Sequence, residues 1–183
     1  MFFTRFFAVF FLFASFGIVS SASVQKRQDT ADIETVLNTL KGSTDTILPQ
    51  ITSTGQAGNA SDANVTPLIN DLTTALNTAS SSLTALQTSS RKSRRQSDDD
   101  IANLVAGIVT DITNALDTLL GDAAAIPELG SLLGGVDVAL DQVLVGLETL
   151  LAGVLTLVAN LLVDVAGLLK SLALGLTLAS LGL

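Results

Sequence analysis

The chain has 183 residues, a formal charge of −8 and 48% apolar residues, yet no Cys, His, Trp or Tyr. Those absences exclude disulfides, thiolate nucleophiles, imidazole bases and the usual nitrogen–sulfur zinc sites. The acidic balance also excludes nucleic acid, whose phosphates select for Lys and Arg.

The N-terminal "MFFTRFFAVFFLFASFGIVSSAS" carries Arg5, an apolar run from Phe6 to Ile18 and the small residues Ser20, Ser21 and Ala22. This is the pattern of a secretory signal peptide, with cleavage expected after Ala22. The apolar run is about 13 residues, short of the roughly 20 that span a bilayer. All eight Phe residues lie at positions 2–16, and the only Met is Met1. A secreted product therefore has no aromatic platform on which bases or sugars could stack. Lys26-Arg27 followed by Gln28 marks residues 23–27 as a pro-segment cut at a dibasic site.

Residues 28–90 read as a hydrophilic helical region. Ile33, Val36, Leu37 and Leu40 fall at helical spacing, and Thr44, Ile47, Leu48 and Ile51 continue the stripe, with an interruption expected at Pro49. Residues 52–66 are rich in Gly, Ser, Thr and Asn and lack a period, which predicts a disordered loop. That loop holds two glycosylation sequons, at Asn59 and Asn64. A second helix is expected from the N-cap Thr66 and Pro67, with Ile69, Leu72, Leu76, Ala79, Leu83 and Leu86 at alternating steps of three and four. Its other face is Thr, Ser and Asn, which are poor helix formers, so it needs a partner. Pairing with the first helix gives an antiparallel amphipathic hairpin over about 29–88.

Residues 91–99, within "RKSRRQSDDD", read as a charged linker. "KRQDTADI" at 26–33 and "RRQSDDDI" at 94–101 align residue for residue, so a second dibasic cut is expected after Arg94-Arg95. Such a cut divides a nearly neutral piece from a strongly acidic one. Residues 28–95 carry six acids and five bases, whereas 96–183 carry eleven acids and only Lys170. Asp98, Asp99 and Asp100 suit the positive end of the next helix. Its stripe is Ile101, Leu104, Val105, Ile108, Ile112, Leu116 and Leu119, closed by Gly121.

Pro127, Gly130, Gly134 and Gly135 predict a short helix between turns. From Gly146 the chain repeats in sevens: GLETLLA, GVLTLVA, NLLVDVA, GLLKSLA. Leu140, Leu144, Leu147, Leu151, Val154, Val158, Leu161, Val165, Leu168 and Leu172 step by four and three throughout. The expectation is one heptad helix of about 33 residues and about 50 Å. Region 100–183 thus joins the hairpin in an all-α fold with long Leu-rich helices and disordered loop and linker segments.

Three settings suit this apolar half. It is a buried bundle helix, an amphiphile that meets an external apolar surface, or a membrane anchor over about 143–169. As an amphiphile, its interface-binding face is Leu147, Leu151, Val154, Val158, Leu161, Val165, Leu168 and Leu172. A fourth use is a small carrier holding a lipid or sterol between Leu stripes. No catalytic, cofactor or metal residue is indicated, because no nucleophile–base–orienter set can be assembled.

The leader, the Lys-Arg-Gln start, the hydrophilic N-terminal half, the Leu/Gly/Ala-rich C-terminal half and the missing cysteines together resemble a family of secreted proteins of mushroom-forming fungi. That family is hydrophobin-like in role but cysteine-free. "KRQ…DIETVLNTLKGSTDTILPQI" over 26–51 carries the likeness best. The resemblance implies a structural cell-wall and extracellular-matrix protein that aids aerial hyphae formation and attachment to hydrophobic surfaces. Partners implied are hydrophobic surfaces or wall polymers, other copies of the chain, or hydrophobins. Residues 33–86 are also similar to fungal hydrophobic-surface-binding and cell-wall mannoproteins.

Overall fold

In the computed structural model the described residues are 22–89 and 98–183, with side chains from residue 32 to 88 and from 98 onward. The leader through residue 21 and the segment 90–97, with Arg94 and Arg95, lie outside them. Seven α-helices and two short 3-10 turns follow in order, and the described residues hold no strand. The α-helices are α1 (Ala22–Gln56), α2 (Asp62–Ser89), α3 (Asp98–Leu120), α4 (Leu129–Leu150), α5 (Val154–Leu161), α6 (Ala166–Ser171) and α7 (Gly175–Leu181). The all-α expectation holds.

The apolar stripes decide the packing. Ile33, Leu37, Leu40, Leu48 and Ile51 of α1 are buried, as are Ile69, Leu72, Leu76, Ala79 and Leu83 of α2. Each side chain of this size contributes about 1.5–3 kcal/mol when fully buried. The hairpin is therefore as expected, and it shares one core with the second half of the chain. Helix α1 lies against α2 and α3, α2 against α4, α3 against α5 and α6, and α4 against α7 and α5. Going round the bundle, the order is α3, α1, α2, α4, and the short helices α5–α7 fill the remaining space between α4 and α3. Helix α3 is covered on two sides, so Ala102, Ala106, Val109 and Ala115 are buried beside its main stripe.

Four expectations need correction. Pro49 does not interrupt α1, which continues to Gln56. Proline removes one backbone bond, but Leu48 and Ile51 on either side are buried and hold the helix. The predicted loop 52–66 shrinks to residues 57–61. Its hydroxyl groups serve the helix instead: Thr54 and Ser53 both donate to the Gln50 carbonyl. Helix α2 begins four residues before Thr66, so Thr66 is not its cap. The glycine-rich stretch 129–135 is the first part of α4, preceded by a 3-10 turn at Ala123–Ala125.

The largest difference lies in the Leu-rich half. The single helix expected over 140–172 is broken into α4, α5 and α6. Leu151 ends α4, and Gly153 takes a φ of +95°, a conformation natural only for glycine. A 3-10 turn at Val163–Val165 makes the second break, and residues 163–171 are bent by 58° from α5. Ala173, at φ +57°, turns the chain into α7. A straight helix would have carried these residues past the end of the bundle. Broken, they fold back over α3.

At one place α1 and α3 meet backbone to backbone. A Cβ added to Gly55 would lie 2.6–2.9 Å from Thr118, including its main-chain carbonyl. Backbone cannot give way as a flexible side chain can. Gly55→Ala is therefore expected to lower stability by about 2 kcal/mol, seen as a drop in the urea midpoint with an unchanged slope.

Candidate functional site

The acids of α4 are the structural surprise. On the heptad helix that the sequence suggests, Asp141 and Glu148 belong to a thin polar face. In the folded chain they and Asp137 hold down two of the three short helices, α5 and α7. Asp137 is 5% exposed. Its carboxylate accepts the Leu176 N–H at 2.9 Å, the Thr177 N–H at 2.9 Å and the Thr177 hydroxyl at 2.8 Å. These are orphan donors of the first turn of α7, supplied with a charged acceptor from another helix. Asp141 accepts from the Ser180 hydroxyl one turn further along the same pair of helices. Glu148 reaches across the first break. It accepts the Gly153 N–H at 2.8 Å and the Leu155 N–H at 3.1 Å, which caps α5. Sequence reasoning could have found Asp137, because it stands three residues before Leu140 and seven before Leu144, on the apolar stripe itself.

The face predicted to meet an external surface is mostly closed. Leu147, Leu151, Val154, Val158 and Leu172 are buried. Val165 and Leu168 are half-buried, and only Leu161 is exposed. In the folded chain α1–α3 cover most of this stripe, which is the buried-bundle setting; its use at an external surface is a separate matter. What remains outside is a rim. Val138, Val145, Leu161, Val163, Leu176 and Leu183 are the exposed large apolar side chains among the described residues, and all lie within residues 129–183.

Other predicted positions are placed as follows. Ala22, Lys26 and Arg27 fall in the first turns of α1, ahead of the first buried stripe residue, Ile33. Asn59 is exposed in the 57–61 turn. Asn64 has a structural use. Its side-chain oxygen accepts the Ser61 N–H at 2.8 Å and the Ser61 hydroxyl at 3.1 Å, and its amide donates to the Asn59 carbonyl at 2.9 Å. This is one half of a capping box at the start of α2: the side chain in the first turn accepts the N–H of the residue before the helix. Asn64→Ala is expected to cost about 1 kcal/mol, measured by thermal unfolding of unglycosylated protein. Asn59→Ala, which leaves its carbonyl in place, is expected to cost little.

Two grooves accompany α1. One, of about 190 Å³, runs along α2 and is lined by Val36, Leu40, Ala75, Ala79 and neighbouring Thr and Ser residues. The other, of about 720 Å³, lies between α1 and α3 beside Asp45, Leu48, Pro49, Asp111 and Asn114. Lys41 donates to Asp45 at 2.9 Å and reaches Asp111 at 3.7 Å at its edge. The hydrogen bond to Asp45 is the largest cause of a raised Lys41 pKa. Among the described residues no three of His, Cys, Asp or Glu gather to hold a metal ion.

By length and composition α4 could cross a membrane, although half of its apolar window is buried in the bundle. Helix α5 with residues 163–171 passes the same test only as a bent pair.

No protein-family model matches the chain. Over 82 residues it is 46% identical to fruiting body differentiation protein 16 of Flammulina velutipes. The match covers 41% of this chain and 64% of that protein's length.

Proposed function

We propose that this is a secreted, non-catalytic, surface-active protein of the fungal cell wall and extracellular matrix. In this reading it coats apolar surfaces through its C-terminal half and so aids attachment and the emergence of aerial hyphae. The observation that carries the reading is the distribution of apolar surface. Every large exposed apolar side chain among the described residues lies within residues 129–183, while the exposed faces of α1 and α2 are mainly Thr, Ser, Asn, Gln and acids. A protein divided in this way orients at an apolar–water boundary. The relative named for fruiting-body differentiation supports a developmental setting in a fungus. The leader supports export.

The test is a coating experiment on polystyrene, read as water contact angle after rinsing. The unaltered chain is expected to lower the angle and to survive the rinse. A triple variant, Val138→Lys with Leu161→Lys and Leu176→Lys, changes only exposed positions and is expected to coat several-fold less. Equal coating by the two proteins would refute the reading.

A further inference from the structure

We infer that residues 140–172 are a convertible segment, which leaves the bundle at an apolar–water interface and straightens there into one amphipathic helix. This rests on the surface-active reading above and specifies its mechanism. The heptad stripe runs from Leu140 to Leu172 without slipping, although the backbone is broken at 151–153 and again at 162–165. Packing on the two sides of a turn places no demand on a common helical register. A register kept through two breaks therefore points to a second state in which the breaks are absent.

The geometry of that second state is specific. On one straight helix, at about 100° per residue, Asp141, Glu148, Thr156, Asn160, Asp164 and Lys170 fall within an arc of about 160°. Gly146, Gly153 and Gly167 fall in the same arc. The remaining arc of about 200° is filled by Leu and Val. An apolar face that wide exceeds a two-helix seam and matches a helix lying in the plane of an interface.

The hydrogen bonds also balance. In the bundle, Glu148 accepts the Gly153 and Leu155 N–H groups. In a continuous helix those donors pass to the carbonyls four residues back, Thr149 and Leu151, and Glu148 is released to water on the polar arc. Gly153 can take helical dihedrals without cost to a side chain. Ala173 escapes a left-handed conformation that an L-residue adopts with strain. Asp137 and Asp141 are the contacts that must be given up, since they hold α7 to α4.

The chain has no native cysteine, so two labels can be placed without ambiguity. Val145→Cys and Lys170→Cys are both at exposed positions and carry spin labels for a distance measurement. The full chain is measured in solution and on hexadecane emulsion droplets. In solution the bent segment should give a short separation. On droplets the separation should lengthen toward about 38 Å, the span of 25 residues of straight helix. Adsorbed protein with an unchanged separation would overturn the inference and leave the surface-active function standing. A chain that fails to adsorb at all would overturn both.

Discussion

Asp137→Ala is expected to destabilise the protein by about 3 kcal/mol, with the loss centred on α7. The substitution strands three donors at once: the Leu176 N–H, the Thr177 N–H and the Thr177 hydroxyl. Thr177 is fully buried, so water cannot replace the carboxylate without opening the site. A buried donor left without a partner costs about 1–3 kcal/mol, more where the lost acceptor was charged. The same substitution at exposed Asp71 serves as the control and is expected to change stability by less than about 0.5 kcal/mol. Urea denaturation measures the total. Amide exchange locates it, with faster exchange over 175–181 and unchanged protection in α1 and α2. Equal stability of the Asp137→Ala and Asp71→Ala proteins would contradict the role given to this carboxylate.

A cut after Arg95 is expected to yield a two-chain protein, not two separate proteins. Helix α1 packs on α3, and α2 packs on α4, so the seam between the pieces runs through the middle of the single core. Leu72, Leu76 and Leu83 on one side and Leu140, Leu144 and Leu147 on the other are all buried. Gln87 also donates across the seam to the Gly146 carbonyl at 3.1 Å. A chain with a specific protease site in place of 91–97 can be cleaved after folding. The pieces are expected to co-elute at the size of the intact chain and to separate only in denaturant. Refolded alone, each piece exposes its half of the core and is expected to aggregate. Elution of residues 28–95 as an independent folded piece would show that the shared core is not what holds the halves.

Much of the fold was legible in the sequence, for a physical reason. Ile33 to Ile51, Ile69 to Leu83 and Ile101 to Leu119 repeat at the helical period, and a stripe of that kind has one good solution, burial against another stripe. The extent of the helices was less legible. Pro49 and the Ser/Thr-rich stretch after it carry strong local signals for a break. Those signals lose to Ile51 and Val65, which the core holds on either side of the 57–61 turn. Asn64 reads as a sequon, and its value as a cap emerges only once Ser61 is known to open α2.

The C-terminal half departs from its local pattern for a different cause. Local periodicity there is strong and favours one long helix, but the bundle has room for a shorter element between α3 and α4. Tertiary packing therefore breaks the helix where glycine permits, at Gly153. Glu148 completes the first break by capping α5, and Asp137 caps α7. Nothing local marks Glu148 as a cap for Gly153 and Leu155, since the contact exists only after the chain has turned. Asp137 is the exception, because an acid on an apolar stripe requires an explanation at the level of sequence.

The central claim is that the C-terminal half meets the apolar surface while the N-terminal hairpin faces water. Amide exchange of the chain adsorbed on polystyrene nanoparticles, compared residue by residue with the chain in solution, tests it most directly. The predicted result is the largest change in protection over residues 129–183, with smaller changes in the hairpin of α1 and α2, which loses packing on α4 but faces water. Altered exchange in α1 and α2, with 129–183 unchanged, would contradict the claim.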